Sequence, residues 1–205
     1  MNEKSVIAVH ACGFENENEI CQVAKFRLTV AISKARKNNI NNIIISGGPP
    51  YQKGSKLLAH LAGEWLITED ALRDFSGSQP KKVIQIHYAI DCFDSSTDIQ
   101  NIIKIAKEKN FSSIFAISSY WHLWALKPLY KYWSRKLSYQ GRIYILRSHK
   151  MLDRYFTGKK IRIVYFFYAF LIKLALFSHL FEPLNNFLSS KLSKRKNGYP
   201  ATGCS

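Results

Sequence analysis

Two adjacent hydroxyls, Ser118 and Ser119, are followed three residues later by an imidazole, His122, and a short apolar run, Ile114 to Ile117, leads into them. A serine beside a histidine can act as a nucleophile with its base, or both can simply donate to a bound ligand. A third reading is local: the hydroxyls cap the helix that starts near Leu123. A G-x-S-x-G nucleophile elbow is absent, so serine hydrolysis by that route is disfavoured. His122 and Ser119 are the candidate catalytic pair, with acid–base work falling to His122.

Other residues with chemistry recur at the same structural position, just after an apolar run. His10, Cys12 and Gly13 follow Val6–Val9, and Ser46, Gly47 and Gly48 follow Ile43–Ile45. His87, Asp91 and Asp94 follow Val83–Ile86. Ser-Gly-Gly allows a close approach of backbone amides to a phosphate or carboxylate, or it serves only as a tight turn before Pro49-Pro50. No GxGxxG and no GxxxxGK[ST] is present, which disfavours dinucleotide and P-loop chemistry. His10, His87 and Asp91 are weak metal candidates, because imidazole and carboxylate suit a divalent ion but no HxH or HExxH spacing supports one. No metal is therefore expected.

The elements that must position these residues read as alternating strands and helices. Five strands are expected at Val6–Val9, Ile43–Ile45, Val83–Ile86, Ile114–Ile117 and Arg142–Leu146. Helices are expected over about 20–37, 55–73, 97–109 and 123–136. In the first of these Val23, Phe26, Val30 and Ala31 recur at helical steps. The alternation predicts α/β architecture: a Rossmann-like three-layer sandwich with a mostly parallel sheet of about five strands. In such a sheet the residues after each strand gather along one edge, where helix N-termini favour anions.

Charge divides the chain. Residues 1–100 carry 11 Lys/Arg and 11 Asp/Glu, whereas residues 101–205 carry 19 Lys/Arg and 3 acids, so the net charge of +16 lies in the second half. An anionic partner is the natural complement. Aromatics from Tyr120 to Trp133 interleave with Lys127, Lys131, Arg135 and Lys136. Without an RRM, KH or helix-turn-helix signature, nucleic acid is disfavoured. Four scattered cysteines form no CxxC pair, as in reduced intracellular proteins. The opening residues lack a signal peptide's long apolar core, so a cytoplasmic location is expected.

The domain reading is a Rossmann-like unit over 1–150, a hydrophobic, basic, helical segment over 151–193, and a disordered tail over 194–205. Residues 163–181 are almost all apolar or aromatic, and as a helix they would span about 28 Å, close to a bilayer's hydrocarbon core. Lys173 at the centre opposes clean insertion at about 2.5–3.5 kcal/mol. Three readings stay open: a buried helix over a sheet face, an interfacial helix on an anionic leaflet through residues 159–196, and a true span. The interfacial reading puts the protein at the inner face of the membrane.

An ordered set of motifs resembles the YdcF/SanA/ElyC-like family, a bacterial domain of unknown function. The set comprises Ile43–Gly48, Asp94-Ser-Ser-Thr97, Ser118-Ser119-Tyr120-Trp121-His122, and Arg27 with Ala31 on the first helix. It covers roughly residues 5–150. Departures are Ala125 where the family carries Arg, Gln100 where it carries Asn, and no evident Glu soon after Ser-Gly-Gly. Loss of that Arg removes a planar clamp for anions that Lys127 does not reproduce. The chain is thus similar to the family as a divergent member.

The resemblance implies a Rossmann-like fold that binds a small anionic or nucleotide-like ligand, such as S-adenosylmethionine or a phosphorylated envelope precursor. Ligand contacts would come from Arg27, Ser46, Gly47, Gly48, Asp94, Thr97, Ser118, Ser119 and His122. It also implies a link to cell-envelope biogenesis. Turnover, if present, would be transfer or hydrolysis on a phosphoryl- or nucleotide-type substrate. The alternative is a non-catalytic, membrane-associated envelope factor with a vestigial pocket.

Overall fold

The structure, a computed structural model, describes residues 4–11, 13–48, 54–74, 83–90, 92, 94–148, 170–174 and 183. Their order is β1 (Ser5–His10), β2 (Phe14–Asn16), β3 (Glu19–Ile20), α1 (Gln22–Lys37), β4 (Asn42–Ser46), α2 (Leu58–Asp74), β5 (Gln85–Ala89), α3 (Ser95–Glu108), β6 (Ser113–Ser118), α4 (Tyr120–Lys136) and β7 (Arg142–Arg147). Five strands form one sheet in the order β5-β4-β1-β6-β7, and every pairing is parallel. The expected α/β sandwich is what the chain forms.

Period-two alternation splits the core between the two faces of the sheet. Ile7, Val9, Ile43 and Ile45 point towards α1 and α2, with Ala24, Leu28, Ala31 and Ala35 of α1 against them. Val6, Ala8, Ile44, Ile114 and Ala116 point the other way, towards α3 and α4. There Ile99, Ile102, Ile103 and Ala106 make one face of α3, and Ala125, Leu126, Leu129 and Trp133 one face of α4. Strands apolar on both faces are the mark of a covered parallel sheet.

Helices α1, α3 and α4 end alike. Asn39, Asn110 and Ser138 have φ of 53°, 55° and 51°. Each is followed by an amide that reaches back into the last turn: Ile40 to Ala35 O, Phe111 to Ala106 O, and Tyr139 to Ser134 O. Asn tolerates this left-handed conformation better than most residues, and the backward bonds satisfy carbonyls that would otherwise be orphaned. The chain then turns directly into the next strand. Tyr139 also donates its hydroxyl to Phe111 O at 2.9 Å, and burial raises its phenol to about 12.

One expectation needs correction. The third long strand is Gln85–Ala89, not Val83–Ile86, because its register pairs Gln85 with Asn42 and leaves Val83 82% exposed. His87 consequently lies inside the strand rather than after it. Between β1 and α1 the chain also forms a small antiparallel hairpin, Phe14 opposite Ile20. Asn18 N–H donates to Asn16 Oδ1 at 3.0 Å to close its turn.

Of the segment 151–193, residues 170–174 are helical. Ile172 is 6% exposed within the α3/α4 core, whereas Phe170, Leu171 and Leu174 are about half exposed. The rest of 163–181 and the tail 194–205 lie outside the described residues. Among the described residues, no helix is long and apolar enough to cross a membrane.

Candidate functional site

Strand order reverses between β1 and β6. The chain first winds outwards from β1 through β4 to β5, then returns to β6 and continues to β7. In open α/β sheets the crevice outside the carboxyl ends of two such strands is where ligands bind. Here β1 ends at His10 and β6 at Ser118, and α4 starts immediately beyond. The candidate residues converge on this point.

Arg27 reaches from α1 to the ends of β1 and β6 and is only 5% exposed. Its Nη1 donates to His10 O at 2.5 Å, and Nη2 and Nε donate to Ser119 Oγ at 2.7 and 3.3 Å. Position 27 continues the buried stripe of Ala24, Leu28 and Ala31, so periodicity alone forecasts an apolar residue there. A guanidinium at that place is held by the ends of β1 and β6. It sets a positive charge at the switch point.

His122 lies in the first turn of α4. Its Nδ1 is 2.9 Å from Ser118 Oγ and its Nε2 is 2.7 Å from Ser95 Oγ. Burial drives its pKa well below 6.5, and the nearby charge of Arg27 and then His10 push the same way. The imidazole is therefore neutral near pH 7, with one nitrogen donating and the other accepting. One serine receives its N–H and the other gives it an O–H.

His10, wholly buried, stands edge-on to His122 with ring centroids 5.9 Å apart. Nδ1 faces Asp98 Oδ2 at 3.4 Å and Nε2 faces the Tyr130 hydroxyl at 2.9 Å. Against an acceptor-only carboxylate, Nδ1 donates, and Nε2 and the Tyr130 hydroxyl share the second bond. Burial, and secondarily Asp98, push the Tyr130 phenol well above its usual value, so it keeps its proton.

Asp94 caps α3. Its Oδ1 accepts from the amides of Ser96 and Thr97, each at 2.8 Å, and Thr97 Oγ1 accepts from the Asp94 amide at 3.1 Å, which completes a capping box. Trp133 Nε1 donates to Ser96 Oγ at 2.8 Å and ties α4 to the same turn. Together these bonds set where Ser95 meets His122. Asp94→Ala is expected to destabilise the protein by about 1 kcal/mol in urea titration and to weaken whatever ligand stabilisation the wild type shows. An unchanged midpoint would mean that the cap contributes nothing.

The Ser-Gly-Gly turn is close-packed. A Cβ on Gly47 would sit 2.6 Å from Ala59 N, in the first turn of α2, and one on Gly48 3.1 Å from Cys92 O. Glycine at 47 is thus required by the approach of a helix. The Gly47 amide already donates to Ala89 O at 3.4 Å, and Ser46, fully buried, donates to Val9 O at 3.5 Å.

The structure therefore brings Arg27, Ser118, Ser119 and His122 together with His10, and sets Asp94 and Thr97 at the head of α3 beside them. His87 lies elsewhere, mid-strand, with Nε2 3.2 Å from Asn42 Oδ1 and its ring against Phe111. Asp91 and Cys12 fall outside the described residues. Among the described residues, no group of three His, Cys, Asp or Glu side chains could hold a metal ion. Tyr130 and Trp133, two of the aromatics that interleave with the basic residues, are buried in the core. Sequence reasoning missed the role of Ser95 and placed Ser119 with His122, whereas Ser119 pairs with Arg27.

Fold and site define a Rossmann-like α/β protein with a polar, cationic cluster at its switch point. No family model, no curated protein and no solved structure matches the chain.

Proposed function

We propose that the protein binds a small anionic or nucleotide-like ligand outside the carboxyl ends of β1 and β6, with acid–base chemistry at His122. One observation carries this reading: the guanidinium of Arg27, 5% exposed, lies at the switch point on the end of β1 and on the serine that opens α4. Burying a guanidinium is costly, and its common use is to recognise carboxylate or phosphate. The amino end of α4 adds a favourable dipole on the same side, and Ser119 makes no side-chain cap there.

The motif resemblance to the YdcF/SanA/ElyC-like family supports two narrower choices, S-adenosylmethionine or a phosphorylated envelope precursor, and a role in cell-envelope biogenesis. The basic, aromatic composition of residues 159–196 supports peripheral attachment to an anionic membrane surface.

A thermal-shift panel on the full chain tests the reading with S-adenosylmethionine, nucleotides, sugar nucleotides and polyprenyl-phosphate mimics. A ligand that binds only the folded state adds about 2.7 kcal/mol at a hundred times its dissociation constant. At least one anionic compound should raise the melting temperature of the wild type and fail to raise that of Arg27→Met. If none does, while the protein sediments with anionic liposomes, the non-catalytic envelope reading replaces this one.

A further inference from the structure

Three serines surround the site, and their surroundings differ. The Ser119 hydroxyl accepts from both Nε and Nη2 of Arg27, so its two lone pairs are taken by a cation. Ser118 Oγ touches His122 Nδ1, but Ser118 is fully buried and nothing can reach it from outside. Ser95 alone combines a partly exposed position with an oxygen 2.7 Å from His122 Nε2. It is the first residue of α3, held in place by the Asp94 cap.

We infer that Ser95 is the nucleophile of this site and that its substrate is a phosphate monoester, with His122 as general base and Ser118 holding His122 in the required tautomer. This rests on the anionic-ligand reading above. Nδ1–H donates to Ser118 Oγ, which leaves the Nε2 lone pair to accept the Ser95 hydroxyl proton. Ser95 Oγ attacks phosphorus as the proton moves to Nε2. The P–O bond to the leaving alcohol breaks, and Nε2 returns that proton to the departing oxygen. Water then attacks the phosphoserine and gives its proton to Nε2. The P–Oγ bond breaks, the Ser95 oxygen recovers the proton, and inorganic phosphate leaves. The net reaction is hydrolysis of the monoester, with water as the only co-reactant.

The electrostatics favour an anionic substrate over a neutral ester. Burial, and after it the charge of Arg27 and then His10, oppose protonation of His122, which makes it a weak base in the free protein. A phosphate brought against Arg27 offsets the Arg27 part of that opposition and raises the basicity of His122 when substrate is present. A neutral ester leaves the handicap in place. Asp98 and Tyr130, the other titratable groups of the network, face His10 rather than His122.

The test incubates the full-length protein with p-nitrophenyl phosphate, follows p-nitrophenol release, and maps acid-quenched protein by mass spectrometry. The expected result is one phosphoryl group on Ser95. Release should vanish in Ser95→Ala and fall by about 10²–10⁴-fold in His122→Gln. Mapping uses the wild-type chain, so an unstable Ser95→Ala protein does not remove the test. A phosphoryl group on another residue, or undiminished release by Ser95→Ala, overturns the assignment. Inorganic phosphate is run alongside in a thermal-shift assay. Stabilisation by phosphate with neither release nor adduct overturns the nucleophile alone, whereas no stabilisation removes the anionic-ligand reading and this inference with it.

Discussion

Replacement of Arg27 by methionine is expected to lower stability by about 2–5 kcal/mol and to abolish stabilisation by inorganic phosphate. Methionine retains much of the apolar stem that packs beside Ala24, Leu28 and Ala31, so the loss reports the guanidinium rather than a cavity. Two acceptors, His10 O and Ser119 Oγ, lose charged donors in a place that water reaches poorly. Each such bond is worth about 1.5–3 kcal/mol, and a buried acceptor without a donor keeps its desolvation cost. Urea unfolding and a phosphate titration read the two effects separately. A variant as stable as the wild type would show that Arg27 is tolerated at the switch point rather than required there. A variant that is less stable but still answers to phosphate would move the anion site elsewhere.

Acidification is expected to destabilise the protein through His122. Its folded pKa is depressed, so below about pH 6.5 the unfolded chain takes up a proton that the native chain refuses. Stability therefore falls as pH falls below about 6.5, with a limiting slope of about one proton per molecule. The loss continues until the folded pKa is reached. His87 works in the same direction, chiefly through burial and then through the charges of Lys109 and Lys4. Carboxylates also titrate at the acid end, so the informative quantity is the difference between wild type and His122→Gln. Denaturant titrations at several pH values should give the variant a visibly shallower slope. Identical slopes would mean that His122 is not the buried, neutral group described here.

The sheet was legible because its strands are apolar on both faces. Runs such as Val6–Val9 and Ile43–Ile45 admit few other readings once helical periods separate them. The edge strand was harder. Among the described residues β5 is an edge strand, and an exposed Val83 beside Ile84 and Ile86 imitates a core run. The hairpin at 14–20 carries too few apolar residues to announce itself.

For the site, the end of each strand could be read but the pairing of side chains could not. Ser118, Ser119 and His122 share a short stretch, and which hydroxyl meets the imidazole depends on how α4 starts. Helix α4 begins at Tyr120, three residues earlier than the apolar pattern indicates, so His122 sits inside its first turn. That turns Nδ1 onto Ser118 and Nε2 towards α3. Ser95 lies 27 positions from His122 in sequence, and its contact is made only when α3 and α4 pack. The Asp-Ser-Ser-Thr stretch was a signal for it, but a capping box explains that stretch just as well. Arg27 shows the opposite case: helical period places it in the buried stripe, and only the charge on that face reveals a site.

The most direct test of the central claim follows the ring nitrogens of His122 by NMR through a pH titration, with and without inorganic phosphate. The free protein should keep a neutral imidazole well below pH 6.5, and phosphate should move the titration of His122 to higher pH by offsetting Arg27. In Arg27→Met the midpoint should already be raised without phosphate and then no longer respond to it. A His122 that titrates alike with and without phosphate in the wild type would contradict an anion site at the switch point.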